Sequence, residues 1–326
     1  MSLCVAKRGL AVVLALALMG TTWACGASAE RVTVMTYNVQ NFFDAYDDPY
    51  SEDSDRPKNA AAIRDIARAI QAADADVIAF QEIERPELLQ AMVDQHLADA
   101  GYAYVAVSYT NSDRGIQLGV VSRLPIDRIA SYRHRALTHP GFERSFRFAR
   151  DLMHVTLEVS DGEKLELLNV HLKSNRTVND DDRYSMGWRT AEAREVRRVA
   201  RDLMADGAGY VVVLGDFNSD FEKRPGDERD WPATAHLRAA HPEHGLVDLH
   251  DALSREERIT LPGRGRYPPA VFDFVLASPA LAARVVEGSA KVLQDRAFAD
   301  GSDHRPVVAS FDLSERWAAP PDDTQP

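Results

Sequence analysis

Eight polar residues have the types and positions to do chemistry: Asn38, Glu82, His171, Asp216, Asn218, Asp273, Asp303 and His304. Asn38 closes the apolar run 31–37, Glu82 follows 76–80, and His171 follows 167–170. Asp216 and Asn218 come after 211–214, Asp273 lies inside 272–276, and Asp303-His304 precedes 307–311. Taken singly, each has a plain reading. An Asp or Asn after a strand bonds the nearby backbone in a turn, and an Asp at an alternating strand position faces water. Six such places in one chain are a stronger signal, because converging strand ends would form a pocket of oxygen and imidazole ligands. That set suits hydrolysis of a phosphate ester. The substrate is anionic and resists attack, so its charge must be neutralised, a water placed in line and the leaving oxygen protonated. A hard dication on oxygen ligands does the first, and an imidazole, which changes charge near neutral pH, serves the last.

The elements that must hold these residues alternate between strand and helix patterns. Strands are expected over 31–37, 76–80, 102–108, 117–122, 126–132, 146–149, 210–214, 271–277 and 307–311. Two more, 152–159 and 164–170, flank Asp161-Gly162, a hairpin signal. Helices are expected over 60–73, where Ile63, Ile66, Ala67 and Ile70 recur at helical spacing, over 87–98, and over 189–205 with Ala191, Val196, Val199 and Leu203 inward. Such a succession points to α/β layers, sheets inside and helices outside. There is no internal repeat and no low-complexity linker, so residues 30–317 are expected to form one catalytic domain, with 318–326 as a flexible tail.

The chain opens with an address. Lys7 and Arg8 precede an apolar run over 9–19, and Ala27-Ser28-Ala29 offers a small-residue cleavage site. The run is shorter than the about 20 residues that span a bilayer, so a secretory signal peptide over 1–29 is expected in preference to an uncleaved anchor. Lipidation at Cys25 fits poorly behind the bulky Trp23. Both cysteines, Cys4 and Cys25, fall in this leader, which leaves no thiolate for a zinc site in the mature chain. A periplasmic or secreted protein follows, without stable membrane association and as a monomer. The net charge of -12 opposes whole-surface binding to nucleic acid. A local basic groove stays open: seven arginines, 123, 128, 133, 135, 144, 147 and 150, face only Asp127 and Glu143 in that span. The acidic run Asp44, Asp47, Asp48, Glu52, Asp53 and Asp55 lacks EF-hand spacing and reads as a solvated loop.

Thr36-Tyr37-Asn38-Val39, Gln81-Glu82, Asn169-Val170-His171-Leu172, Gly215-Asp216-Phe217-Asn218 and Ser302-Asp303-His304 resemble the signature motifs of the endonuclease/exonuclease/phosphatase superfamily. That group includes DNase I-like nucleases, abasic-site endonucleases, sphingomyelinases and inositol polyphosphate 5-phosphatases. The resemblance extends from Asn38 to His304 and implies a four-layer α/β sandwich, two packed mixed β-sheets flanked by helices. It also implies roles. Glu82 is the metal ligand, with Asn38 and Asp303 beside it, and an oxygen set of this kind suits Mg2+, with Mn2+ or Ca2+ as alternatives. His304 is the acid/base or phosphate-polarising residue, oriented by Asp273. Asp216 positions or activates the attacking water, while His171 and Asn218 steady the phosphate oxygens. Arg150 resembles the family's phosphate-facing arginine, with Arg147 as a near neighbour. The expected activity is that of an exported metal-dependent phosphodiesterase acting on DNA or RNA. A phospholipid or inositol-phosphate phosphoesterase is the alternative, although only Phe142, Phe146 and Phe148 could stand in for a membrane-binding hairpin. A catalytically silent binding module is disfavoured, since no expected catalytic position is missing.

Overall fold

The computed structural model describes residues 31–46, 56–160, 162–175, 181–220, 237, 245–265 and 267–314. The expected leader with Cys4 and Cys25, the acidic run beyond Asp44, Asp161 and the expected tail lie outside these residues.

Two six-stranded sheets form the centre. The first contains β1 (Arg31–Phe42), β2 (Val77–Ile83), β3 (Tyr104–Ser108), β4 (Gln117–Ser122), β11 (Lys291–Val292) and β12 (Val307–Asp312). Its order is β11-β12-β1-β2-β4-β3. The second contains β5 (Ile126–Ser131), β6 (Leu152–Ser160), β7 (Glu163–His171), β8 (Tyr210–Asp216), β9 (Val247–Asp248) and β10 (Asp273–Ala277). Its order is β5-β6-β7-β8-β10-β9. Each sheet is mixed around one parallel pair, β1 with β2 and β7 with β8, and every other pairing is antiparallel.

Side-chain alternation builds the layers. On β1, Val32 and Val34 face the second sheet, while Met35, Tyr37 and Val39 face α1 (Ala60–Ala73) and α2 (Pro86–His96). On β7 and β8, Leu165, Leu167, Val212 and Leu214 face the first sheet. Leu168, Val170, Val211 and Val213 face α3 (Met186–Ala205). Because both sheets are covered on both sides, β4 and β8 are buried along their whole length, and β8 reads as a continuous apolar run until Asp216. The result is the expected sandwich of helix, sheet, sheet and helix. Helix α1 starts where Asn59 caps the Ala62 N–H (2.8 Å) and ends at Asp74, left-handed at φ 46°. Among the described residues there are also two single-turn helices, α4 (Arg255–Arg258) and α5 (Pro279–Ala282).

One expected strand is absent. Residues 146–149 make a single bridge, Leu137 to Phe146, instead of a ladder. Phe146 and Phe148 are buried against the α3 side of the second sheet, with Phe142 half-buried beside them, so they present no exposed aromatic hairpin. Among the described residues, no helix is long and apolar enough to cross a membrane.

His250, in the turn after β9, is buried with Nε2 3.2 Å from the Val308 carbonyl. Burial pushes its imidazole down to about 4. The folded chain therefore keeps it neutral while the unfolded chain protonates it below about 6.5. Stability is expected to fall as pH drops from about 6.5 towards about 4, by up to about 3 kcal/mol from this group. Urea unfolding across that window should show a flatter pH dependence for His250→Gln than for the parent. Equal slopes would remove His250 as the cause.

Candidate active site

One rim of the sandwich collects the chemistry. The parallel strands β1, β2, β7 and β8 end there, and the antiparallel strands β4, β6, β10 and β12 begin there. Alternation aims Asn38, Asn169, His171, Asp216 and Asp273 between the sheets at this rim, continuing the rows of Val34, Leu167, Leu214 and Val275. Beneath the site a polar tie joins the two sheets. Gln81 Nε2 donates to Thr36 Oγ1 (3.1 Å) and Asn169 Oδ1 (2.8 Å), and Asn169 Nδ2 donates to the Phe80 and Gly119 carbonyls (3.1 Å each).

Glu82 breaks the alternation. In register it would follow Ile78 and Phe80 towards the helices, but β1 and β2 both bulge here, with Gln40, Asn41 and Glu82 at φ 47°, 51° and 65°. Non-glycine residues rarely adopt this region, and a bulge re-aims the side chain it carries. Asn38 Oδ1 accepts the Gln40 N–H (3.0 Å) and Glu82 Oε2 accepts the Asn41 N–H (2.9 Å), which holds the two bulges together. Glu82 thereby faces the cleft.

Asp216 is the hub. Asn38 Nδ2 donates to its Oδ2 (3.0 Å) across the sandwich, and the Asn218 N–H donates to its Oδ1 (2.8 Å). His171 Nε2 lies 3.4 Å and His304 Nε2 3.9 Å from Oδ2. Asn218 Nδ2 donates to the Leu172 carbonyl (3.0 Å), fixing the end of β7. Gly215 explains its place in the motif. Its φ is 142°, and a Cβ there would sit 2.0 Å from the Val170 carbonyl oxygen. Gly215→Ala is expected to cost about 2–4 kcal/mol from overpacking and backbone strain, with loss of turnover because Asp216 moves. Guanidinium unfolding tests this, and a parent-like midpoint would refute it.

His304 is oriented by Asp273, whose Oδ2 lies 2.8 Å from Nδ1. Ser302 Oγ donates to the Asn38 carbonyl (2.7 Å) and accepts the His304 N–H (3.1 Å), tying the turn before β12 to β1. Burial opposes charge on His304, but Asp273 and Asp216 outweigh it and raise the imidazole to about 10. Burial raises Asp216 as well, an effect opposed by the His304 charge. His171 is driven well down by burial and the nearby Arg150, so one imidazole is cationic and the other neutral at pH 7. Burial raises Asp303, with the charge of Glu82 contributing.

Two anionic groups, Glu82 and Asp303, line one cleft and repel each other, with the Asn38–Asp216 pair at its floor. Hard oxygen donors under mutual repulsion fit a divalent cation. Ligand atoms of Asp216, Asp273 and His304 also lie within 4.8 Å of one another. Within that cluster, however, His304 Nδ1 and Asp273 Oδ2 already engage each other, and Asp273 Oδ1 is buried without a partner among the described residues.

The cleft encloses about 930 Å3 and is lined by Glu82, Arg150, His171, Asp216, Asn218, Asp303 and His304, with Asn38 and Asp273 immediately behind. Of the seven arginines between 123 and 150, only Arg150 lines it, and Arg147 is exposed elsewhere. The span is no continuous groove. Arg123 pairs with Asp74 and Asp76, Arg135 with Glu195, and Arg144 with Asp181. Arg183 donates to the Tyr184 hydroxyl outside the cleft. Sequence reading missed Arg114, which precedes β4, donates to Asn41 Oδ1 and stands 3.8 Å from Glu82. Nothing in Asp113-Arg114-Gly115 distinguishes it from a turn on the surface.

A sequence model described as the endonuclease/exonuclease/phosphatase family matches residues 35–304, which span every residue of the site. The chain belongs to this family. Members are phosphodiesterases and phosphatases, generally dependent on a divalent metal, and this chain is an enzyme of that kind. No sequence among curated proteins matches it. Among solved structures, it resembles an endonuclease/exonuclease/phosphatase protein from Beutenbergia cavernae at 20% identity, covering 86% of this chain and 71% of that one, with a TM-score of 0.60. The human Nocturnin catalytic domain with bound sulfate is 18% identical, with coverages of 86% and 94% and a TM-score of 0.59. D. rerio TDP2 complexed with single strand DNA product is 17% identical, with coverages of 86% and 98% and a TM-score of 0.55. At these identities the likeness is one of fold.

Proposed function

We propose that this family member is an exported phosphodiesterase that cleaves DNA or RNA. The observation that carries the reaction is the single array His304–Asp273, Asp216–Asn38 and Arg150 facing Glu82 in one cleft. Asp216, an acceptor of raised basicity, orients the attacking water and takes its proton as the new O–P bond forms. His304, cationic at neutral pH, passes its Nε2 proton to the leaving oxygen as the P–O bond to it breaks. Neutral His171, Asn218 and Arg150 surround the remaining phosphate oxygens. A divalent cation, Mg2+ with Mn2+ or Ca2+ as alternatives, would be held by Glu82 and Asp303 beside Asn38 and would neutralise charge on the phosphate.

The nucleic-acid substrate is supported by the DNA product bound to the TDP2 of similar fold. Export rests on the Lys7-Arg8 start, the apolar 9–19 run and the Ala27-Ser28-Ala29 site, with residues 30–317 as the catalytic unit acting as a monomer. The deciding experiment assays the purified mature chain against plasmid DNA, RNA, sphingomyelin, an inositol polyphosphate and bis-p-nitrophenyl phosphate, with Mg2+, Mn2+ or Ca2+. Cleavage of DNA or RNA is expected. Hydrolysis of lipid or inositol phosphate alone would sink the nuclease reading.

A further inference from the structure

Helix α3 carries two charged residues with no solvent exposure, Arg189 and Glu192, one turn apart among Ala191, Ala193 and Val196. A buried ion is costly unless its surroundings use it. Glu192 bonds the backbone of two segments of the site. Its Oε1 accepts the Ala149 N–H (2.7 Å), one residue before Arg150, and its Oε2 accepts the Lys173 N–H (2.6 Å), two residues after His171. Arg189 Nη1 holds the other side of Lys173, donating to its carbonyl (2.8 Å) and to that of Tyr184 (3.1 Å). Between these grips lies the Leu172 carbonyl, which accepts from Arg150 Nη1 (3.2 Å) and from Asn218 Nδ2 (3.0 Å). One carboxylate thus sets the backbone from which Arg150 and His171 reach the cleft, beside the Leu172 carbonyl that Asn218 bonds.

Arg150 is itself buried, and burial weakens its hold on its proton; Glu192 heads the charges that offset this, ahead of Glu82 and Asp216. Its Nε has no hydrogen-bond partner among the described residues. A guanidinium that lines the cleft, backed by a carboxylate that bonds backbone instead of the arginine, suits an oxyanion. We propose that Glu192 is the positioning residue of the anion site: it holds the Arg150 and Lys173 segments in register, so that the Arg150 guanidinium is presented to a phosphate oxygen in the cleft. This deepens the phosphoesterase reading and rests on it for the identity of the anion.

The geometry requires both carboxylate oxygens to accept, so protonation turns one acceptor into a donor facing an amide N–H. Burial raises Glu192 to about 7, with Arg150 and Arg189 opposing from either side and Lys173 as the remaining cation nearby. Anion affinity should therefore fall as pH drops through about 7, and Glu192→Gln should lack this component.

The test is a double-mutant cycle on the full mature chain: parent, E192Q, R150A and E192Q/R150A. Inorganic sulfate, which does not titrate in this range, is the probe in calorimetry, and bis-p-nitrophenyl phosphate is the substrate in kinetics. E192Q is expected to weaken sulfate binding about tenfold and to raise KM more than it lowers kcat. In the R150A background it should add less than about a twofold loss. Losses that multiply in full, or parent-like sulfate affinity in E192Q, overturn the proposal. So does a parent whose sulfate binding is untouched by R150A. Should E192Q not fold, Glu192→Asp keeps the charge but cannot span both N–H groups, and the same cycle is read with it. A parent that binds sulfate through this cycle but hydrolyses no phosphodiester would retain the proposal and sink the functional reading instead.

Discussion

The His304→Ala protein is expected to fold and to turn over a phosphodiester about 1000-fold more slowly than the parent. His304 supplies the single imidazole held cationic in the cleft, because Asp273 at 2.8 Å and Asp216 at 3.9 Å outweigh the penalty of its burial. The neighbouring groups do not replace it: His171 is neutral, and Arg150 keeps its protons. Its removal leaves the core intact, since His304 stands at the rim in the turn before β12 and outside the three apolar clusters. Asp273 acts through His304, so Asp273→Asn should cost most of the same factor, and the double substitution little beyond either alone. Single-turnover kinetics on bis-p-nitrophenyl phosphate, with thermal unfolding beside it, checks both statements. A His304→Ala protein within tenfold of the parent would remove His304 from the mechanism.

The second large effect is expected at Glu82. Glu82→Ala should lower turnover by a factor on the order of 1000, equivalent to the several kcal/mol of charge stabilisation that a dication supplies. EDTA should silence the parent, and added Mg2+ should restore it. The reason lies in the bulges. The chain holds Glu82 at φ 65°, a conformation that costs about 1–3 kcal/mol, and the result is a carboxylate turned into the cleft near Asp303. Binding measured without turnover separates this role from a structural one: Mn2+ followed by paramagnetic resonance should bind the parent and bind Glu82→Ala far more weakly. Parent-like Mn2+ affinity in Glu82→Ala, or full parent activity in EDTA, would defeat the assignment.

Much of this molecule is legible along the chain because its information is local. The run 117–122 and the helix 60–73 are found where expected, since period and caps are properties of neighbouring residues. Other elements miss by a few residues at their ends. The 146–149 segment fails for a physical reason. Phe146 and Phe148 alternate like a strand, yet they are buried beside α3 and find only one bridging partner, which no local pattern records. Strand β1 runs five residues past its expected end because Gln40 and Asn41 take left-handed backbone whose support, Glu82, is 41 residues away from Asn41.

Residue types at strand ends were enough to determine the class of chemistry and, through the motifs they form, the family. Period-two alternation was enough to send Asn38, His171, Asp216 and Asp273 to one face. Only the tertiary structure decided that these faces meet, because the Asn38–Asp216 contact closes 178 residues of chain and depends on the stacking of two sheets that share no strand. It likewise brought Arg114 to the site, turned Glu82 into the cleft, and placed Glu192 behind Arg150. Each of these depends on which segments are neighbours in space, and burial and charge act through space and not along the chain.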